Sequence, residues 1–251
     1  MPTKRSAAAR PELTGRLRGQ VALITGGNRG IGLAIARALA TEGCDVVVTG
    51  RDPAALQKAS GELKSHGIRV LPVACDVRDP DSVAALISTV RKQFRRLDIL
   101  INNAGVGHAN LPVSRLPIDD WKKVIETNLT GMFLVTRAAL PFLHAGATVV
   151  NNLSIAATRV FPGSSAYNAS KHGAFGFTNT LREELRPKKI RVIALMPGAT
   201  DTDIWQSLWP DAPRHKMMEP ATVAAALISA LVLPENSTVE ELTLMPTAGT
   251  L

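Results

Sequence analysis

The feature that most constrains this chain is a regular exchange between short, apolar, β-branched runs and longer stretches with helical spacing. Val21–Thr25, Asp45–Thr49, Arg69–Ala74, Leu97–Asn102, Thr148–Ser154 and Ile190–Met196 read as strands, with a short seventh near Glu241–Met245. Helices are expected over Ile31–Glu42, Pro53–His66, Pro80–Lys92, Ile118–Leu143, Ser165–Arg186 and Ala221–Leu233. Strands this apolar need both faces covered, and a helix between consecutive strands makes them parallel through right-handed crossovers. The expected fold is therefore α/β, a doubly wound parallel sheet of about seven strands with helices on both faces. No Gly-, Ser- or Pro-rich linker and no repeat follows residue 20, so residues 19–251 are expected to form one domain. Only the segment 200–220 fits neither period; it carries Trp205 and Trp209 and reads as a loop over a substrate.

Charge and composition narrow the function classes. The net charge is +8, and Lys4, Arg5, Arg10, Arg16 and Arg18 against Glu12 supply half of it within residues 1–18. That segment reads as a basic, flexible, solvated tail; Pro2 and Pro11 interrupt any amphipathic presequence helix. With one tyrosine, six Phe and three Trp available for base stacking, no nucleic-acid partner is expected. The longest uncharged stretch, Ala138–Thr158, contains Pro141, His144, Gly146, Asn151 and Asn152, so no membrane span is expected. Cys44 and Cys75 are too few for a disulfide framework, and nothing resembles a secretory segment, so a cytoplasmic setting is expected. The five histidines show no ligand spacing, and no metal is expected.

Between the first strand and its helix lies Thr25-Gly-Gly-Asn-Arg-Gly-Ile-Gly32. Glycines there permit a tight turn and close approach of a pyrophosphate, while the helix N-terminus offers free N–H groups to it. The spacing differs from the commoner G-x-G-x-x-G, so its placement between strand and helix carries the reading. Gly26, Arg29, Gly30, Ile31 and Gly32 are the candidate contacts. About 20 residues further on, a carboxylate would select NAD; counting from Gly30 reaches Gly50, followed by Arg51. Guanidinium groups at Arg51 and Arg29 match a 2′-phosphate in charge and geometry, favouring NADP(H) over NAD(H). Asp52 would favour NAD(H) if the turn presented it to the ribose instead.

Tyr167 and Lys171 are four residues apart and share one face of the expected helix. A phenol that ionises near pH 10 needs roughly 4 kcal/mol of help to act near neutrality. A unit charge about 4 Å away at an effective dielectric of about 20 supplies roughly 4 kcal/mol, so the lysine is expected to lower the phenol. Ser154, at the carboxyl end of its strand, can hold a substrate oxygen as charge develops on it.

These residues together resemble the short-chain dehydrogenase/reductase family in its compact form, similar to 3-oxoacyl-carrier-protein reductases, over Gly19 to Pro246. The glycine turn, Cys75-Asp-Val77, Asn102-Asn-Ala-Gly105, Thr127-Asn-Leu129, Ser154, Tyr167, Lys171 and Pro197–Thr202 carry the resemblance in the family's order. It implies a Rossmann-type fold and a tetrad of Asn128, Ser154, Tyr167 and Lys171. Asn128 would anchor a water that links Lys171 to solvent, and Lys171 would also bind the nicotinamide ribose. Asp76 and Val77 would contact adenine, Asn103 and Ala104 would flank the cofactor, and Pro197, Gly198, Thr200 and Thr202 would lie against the nicotinamide. A homodimer or homotetramer is implied as well. Leu153, Ala157, Thr200 and a C-terminus without Asp-Gly-Gly depart from the usual pattern.

The expected activity is NADP(H)-dependent interconversion of a small-molecule carbonyl, including a 3-oxoacyl thioester, and an alcohol. The alternative is a non-catalytic NADP-binding sensor or scaffold on the same fold. His108, Phe161, Trp205, Leu208, Trp209 and Met217 are candidates for the substrate wall, with His108 read as a polar loop residue.

Overall fold

The computed structural model describes residues 15–250. Seven strands form one parallel sheet: β1 Val21–Thr25, β2 Asp45–Gly50, β3 Val70–Ala74, β4 Leu97–Asn102, β5 Leu143–Asn152, β6 Arg191–Pro197 and β7 Glu241–Leu244. The helices are α1 Gly30–Thr41, α2 Pro53–Lys64, α3 Pro80–Phe94, α4 Ile118–Ile125, α5 Gly131–Ala139, α6 Ser165–Leu185, α7 Trp205–Leu208 and α8 Pro220–Leu231. The strand order β3-β2-β1-β4-β5-β6-β7 reverses direction between β1 and β4. A crevice opens at the carboxyl ends of strands flanking such a switch.

Alternation along the strands builds the two cores. Ala22 and Ile24 of β1 pack with α1, α2 and α8 on one face. Val21 and Leu23 pack with α3, α5 and α6 on the other. Leu23 and Ile24 are fully buried, each contributing roughly 2 kcal/mol. A polar ladder crosses the second core. Asn102 Nδ2 donates to Thr136 Oγ1 at 2.8 Å and to Asn151 Oδ1 at 2.9 Å, and Asn151 Nδ2 donates to Thr178 Oγ1 at 2.9 Å. These bonds fix α5 and α6 against β4 and β5.

Three expectations change. The single helix over Ile118–Leu143 is broken by a π-helical turn, Glu126–Thr130, and ends in a 3-10 turn at Leu140–Phe142. β5 begins at Leu143 rather than Thr148. Leu143 pairs with Leu97 before the register shifts. The domain also begins before residue 19. Leu17 is buried and its amide donates to the Glu42 carbonyl at 3.1 Å, while Arg16 Nε donates to the Glu42 carboxylate at 2.9 Å. The remainder of the expected tail, residues 1–14, lies outside the described residues.

Candidate active site

The glycine turn is locked to the end of β4. Thr25 Oγ1 accepts from the amides of Asn103 at 2.9 Å and Ala104 at 3.0 Å, and Asn103 Nδ2 donates to the carbonyls of Thr25 and Gly26 at 2.9 and 3.1 Å. A Cβ on Gly32 would sit 2.3 Å from Asn103 Nδ2, so only glycine fits beneath the turn. Gly26 and Gly30 have φ of +62° and +52°, which also favour glycine. α1 begins without a side-chain cap and without an acidic residue in its first turn. Its N–H groups are left facing the crevice, the arrangement an anion requires.

One continuous cavity of about 1150 Å³ runs from this turn to the start of α6. Gly26, Arg29, Gly30, Ile31 and Arg51 line its β1–β2 side. Asp76, Val77, Asn103 and Ala104 line the side of β3 and β4. Ser154, Tyr167, Lys171, Pro197, Gly198, Thr200 and Thr202 line the rest. Gly32 lies under the turn, and Asn128 is fully buried behind the wall.

Asp52 lines the same cavity, but one of its carboxylate oxygens is engaged at the start of α2. Its Oδ1 accepts from the amides of Ala54 at 2.9 Å and Ala55 at 3.3 Å, capping α2. Arg51 stands beside it exposed. Arg29 is 3.9 Å from Asp203 across the groove. The Arg78 guanidinium grips Asp76 and holds its carboxyl below the usual range. Sequence reasoning missed Arg78, although the Asp-Val-Arg spacing marks it. It also missed Asn28, whose Oδ1 would lie 2.7 Å from a Cβ on Gly50.

At the other end, Tyr167 and Ser154 line the same stretch of cavity, with the phenol close enough to the Ser154 side chain to feel it. Ser154 Oγ accepts from the Ala156 amide at 3.1 Å. Tyr167 keeps an open edge on the cavity, but its hydroxyl lies deep enough that burial pushes the phenol up, opposed by the Ser154 side chain. The Lys171 ammonium donates to the Asn152 carbonyl at 3.0 Å and lies 5.6 Å from the Tyr167 ring centre. Burial pushes it down to about 8. The expected lowering of the phenol by this lysine is therefore not what the structure displays. Burial is the larger influence on the phenol, and what opposes it is the Ser154 side chain.

Asn128 sits in the π-helical turn with both amide protons committed. Nδ2 donates to the Val106 carbonyl at 2.9 Å and to Ser170 Oγ at 3.1 Å, while Oδ1 accepts from the Val106 amide at 2.8 Å. The side chain is thus a brace between the Val106 loop and α6. Phe161, Trp205, Leu208 and Trp209 line the cavity as expected, but His108 and Met217 do not. His108 is buried behind the wall. Leu153 and Ala157 fill a small core with Met132, Ala174, Ala194 and Met196, which accounts for their apolar character.

The profile of the short chain dehydrogenase family matches residues 20–213. The chain belongs to that family. It is 38% identical over 195 residues to a 3-oxoacyl-[acyl-carrier-protein] reductase of Synechocystis sp., covering 76% of this chain and 78% of the relative. An alcohol dehydrogenase of Thermococcus sibiricus, complexed with 5-hydroxy-NADP, superposes with a TM-score of 0.86 at 31% identity, covering 92% of this chain and 98% of that one. A 3-ketoacyl-(acyl-carrier-protein) reductase of Brucella melitensis, complexed with NADH, superposes with a TM-score of 0.83 at 30% identity, covering 92% and 98%. This short-chain dehydrogenase thus has a Rossmann-type α/β fold and a family built for oxidoreduction with a nicotinamide cofactor. Among its described residues, no helix is long and apolar enough to cross a membrane.

Proposed function

We propose that the protein is an NADP(H)-dependent oxidoreductase that interconverts a carbonyl and an alcohol, with Tyr167 moving the proton at the substrate oxygen. One observation carries this reading: the only tyrosine of the chain meets Ser154 and Lys171 in the same cavity that the glycine turn opens into.

The groove suits a dinucleotide with a 2′-phosphate. The bare N-terminus of α1 and the glycines around it leave room and N–H groups for a pyrophosphate. Asp52, which would repel a 2′-phosphate, is spent on the α2 cap, and Arg29 and Arg51 remain to grip one. Asp76 and Val77 would flank adenine, Lys171 the nicotinamide ribose, and Pro197, Gly198, Thr200 and Thr202 the nicotinamide. When bound, the cofactor supplies hydride transfer.

The chain's own residues supply the acid–base work. Ser154 Oγ orients the substrate oxygen beside the phenol. In the reducing direction the Tyr167 hydroxyl gives its proton to that oxygen, and in the oxidising direction it takes one back. A phenol held up by burial is protonated at neutral pH and is ready to act as the acid. Lys171 stabilises the phenolate left behind, and the Asn128 brace holds the helix start from which Tyr167 projects. Ile155, Phe161, Leu208 and Trp209 give the substrate end an apolar wall, which suits a medium-sized, partly apolar ketone, aldehyde or 3-oxoacyl group. Ile118, Trp121 and Phe133 expose 63%, 37% and 43% of their surface on α4 and α5, a face that we propose joins copies into a dimer or tetramer.

A panel of carbonyls and alcohols, followed by cofactor absorbance with NADP(H) and NAD(H) in parallel, tests the proposal. Turnover with NADPH on at least one carbonyl is expected. Cofactor binding without turnover on any member would favour the sensor reading instead.

A further inference from the structure

Tyr167 is the third residue of α6, so its amide is one of the N–H groups that a helix start leaves unpaired. Ser164, which precedes the helix, offers no side-chain cap. The partner comes from a different loop: the Tyr167 amide donates to His108 Nε2 at 3.4 Å. His108 is 3% exposed, and its Nδ1 lies 2.7 Å from the Ala109 carbonyl oxygen. A carbonyl only accepts, so Nδ1 carries the proton and Nε2 is left as an acceptor. Both contacts require the same neutral tautomer.

The loop bearing His108 is pinned on either side of it. Asn128 holds both main-chain groups of Val106, and the Leu111 amide donates to the Gly163 carbonyl at 3.0 Å. The Tyr167 carbonyl, in turn, accepts from Ser170 Oγ at 2.8 Å, and that oxygen accepts from Asn128 Nδ2 at 3.1 Å. Both main-chain groups of Tyr167 are thus tied to one brace centred on Asn128, the amide through His108 and the carbonyl through Ser170.

We infer that His108, as the neutral Nδ1–H imidazole, is a positioning residue for Tyr167: it accepts the otherwise unpaired amide and sets where α6 begins relative to Ser154. Its kinetic consequence rests on the reading of Tyr167 as the proton carrier. The contact itself does not, and can be measured apart from activity.

The chain has a single tyrosine, so full-length protein labelled with ¹⁵N-tyrosine gives one amide resonance, that of Tyr167. The comparison is between the native protein, His108→Gln, whose carbonyl oxygen can replace Nε2, and His108→Met, which fills the space without an acceptor. Exchange of the Tyr167 amide with solvent is expected to quicken by about tenfold in His108→Met and to stay near native in His108→Gln. With a carbonyl substrate, kcat should fall by about tenfold or more in His108→Met and be largely restored in His108→Gln, with NADPH affinity unchanged in both. Equal exchange in native protein and His108→Met, or equal loss of kcat in the two variants, overturns the inference. Should His108→Met fail to fold, ¹⁵N-histidine spectra of the native protein decide: a proton on Nδ1 of His108 supports the assignment and a proton on Nε2 defeats it. If no carbonyl is turned over by any form, the exchange comparison still decides this inference while the proposed activity fails.

Discussion

The Lys171 ammonium is bonded to the Asn152 main-chain carbonyl at 3.0 Å and is almost completely buried. That placement ties the middle of α6 to the end of β5, and it desolvates a cation. The ammonium falls from 10.5 to about 8 in the folded chain. Between those values the unfolded chain holds the extra proton, so stability rises with pH across that window and the cost is fully present below about 8. The cost is about 3 kcal/mol. Lys171→Met removes it but leaves the Asn152 carbonyl unpaired, at about 1–2 kcal/mol. Urea unfolding should therefore find the variant more stable by about 1–2 kcal/mol at pH 6.5, with the advantage gone by pH 9.5. A difference that does not change with pH would mean that the lysine is not desolvated as described.

Much of this architecture is legible in the residues. Runs such as Val21–Thr25 are apolar enough to declare themselves buried on both faces. The glycine turn and the Tyr167–Lys171 spacing announce a groove and a shared helix face. What escaped is what depends on partners distant in sequence. The helical period through Ile118–Leu143 gives no sign of the π-helical turn. Gly131 looks like a helix weakness until Val77 Cγ2 is found 2.7 Å from where its Cβ would be. His144-Ala-Gly-Ala147 has no strand pattern because three of its residues are exposed, yet it extends β5. The effect of burial on Tyr167 and Lys171 could not be read from an i, i+4 spacing, which sets proximity but not dielectric.

Asp52 and Arg51 separate stability from cofactor choice. Asp52→Ala removes the α2 cap and should cost about 1 kcal/mol of stability without altering the proposed preference for NADPH. Arg51→Asp should leave the fold intact and shift the NADPH-to-NADH ratio of kcat/KM toward NADH by about ten- to a hundredfold. The two ratios, with thermal melts of both variants, check this. A change of preference in Asp52→Ala would show that its carboxylate reaches the cofactor.

Tyr167→Phe removes the hydroxyl beside Ser154 while retaining the ring over which Lys171 lies. Carbonyl reduction should fall by about 10²–10⁴-fold, with NADPH affinity, measured by fluorescence titration, unchanged. Turnover within tenfold of native would assign the proton to another group.

Gly107 and Leu208 define how closely α7 covers the substrate end. A Cβ at Gly107 would lie 2.7 Å from both Cγ and Cδ2 of Leu208 and 3.2 Å from Ser207 Oγ, closer than carbon atoms approach without strain. The flanks of α7 are held independently. Trp205 Nε1 donates to the Thr200 carbonyl at 2.9 Å, and Arg214 Nη1 donates to the Thr202 carbonyl at 2.7 Å. An added methyl at Gly107 therefore tilts α7 or turns Leu208 outward rather than releasing the whole segment. Gly107→Ala should raise KM for a carbonyl substrate by about three- to tenfold with little effect on kcat, because the wall moves while Ser154 and Tyr167 stay in place. Adding Leu208→Ala removes the obstructing methyls. The double variant should recover most of the rise over Leu208→Ala alone, a coupling of about 1 kcal/mol in a double-mutant cycle. Additive KM effects would mean that Leu208 and Gly107 do not meet when substrate is bound, and that the segment bearing Trp205 and Trp209 sits elsewhere in the working enzyme.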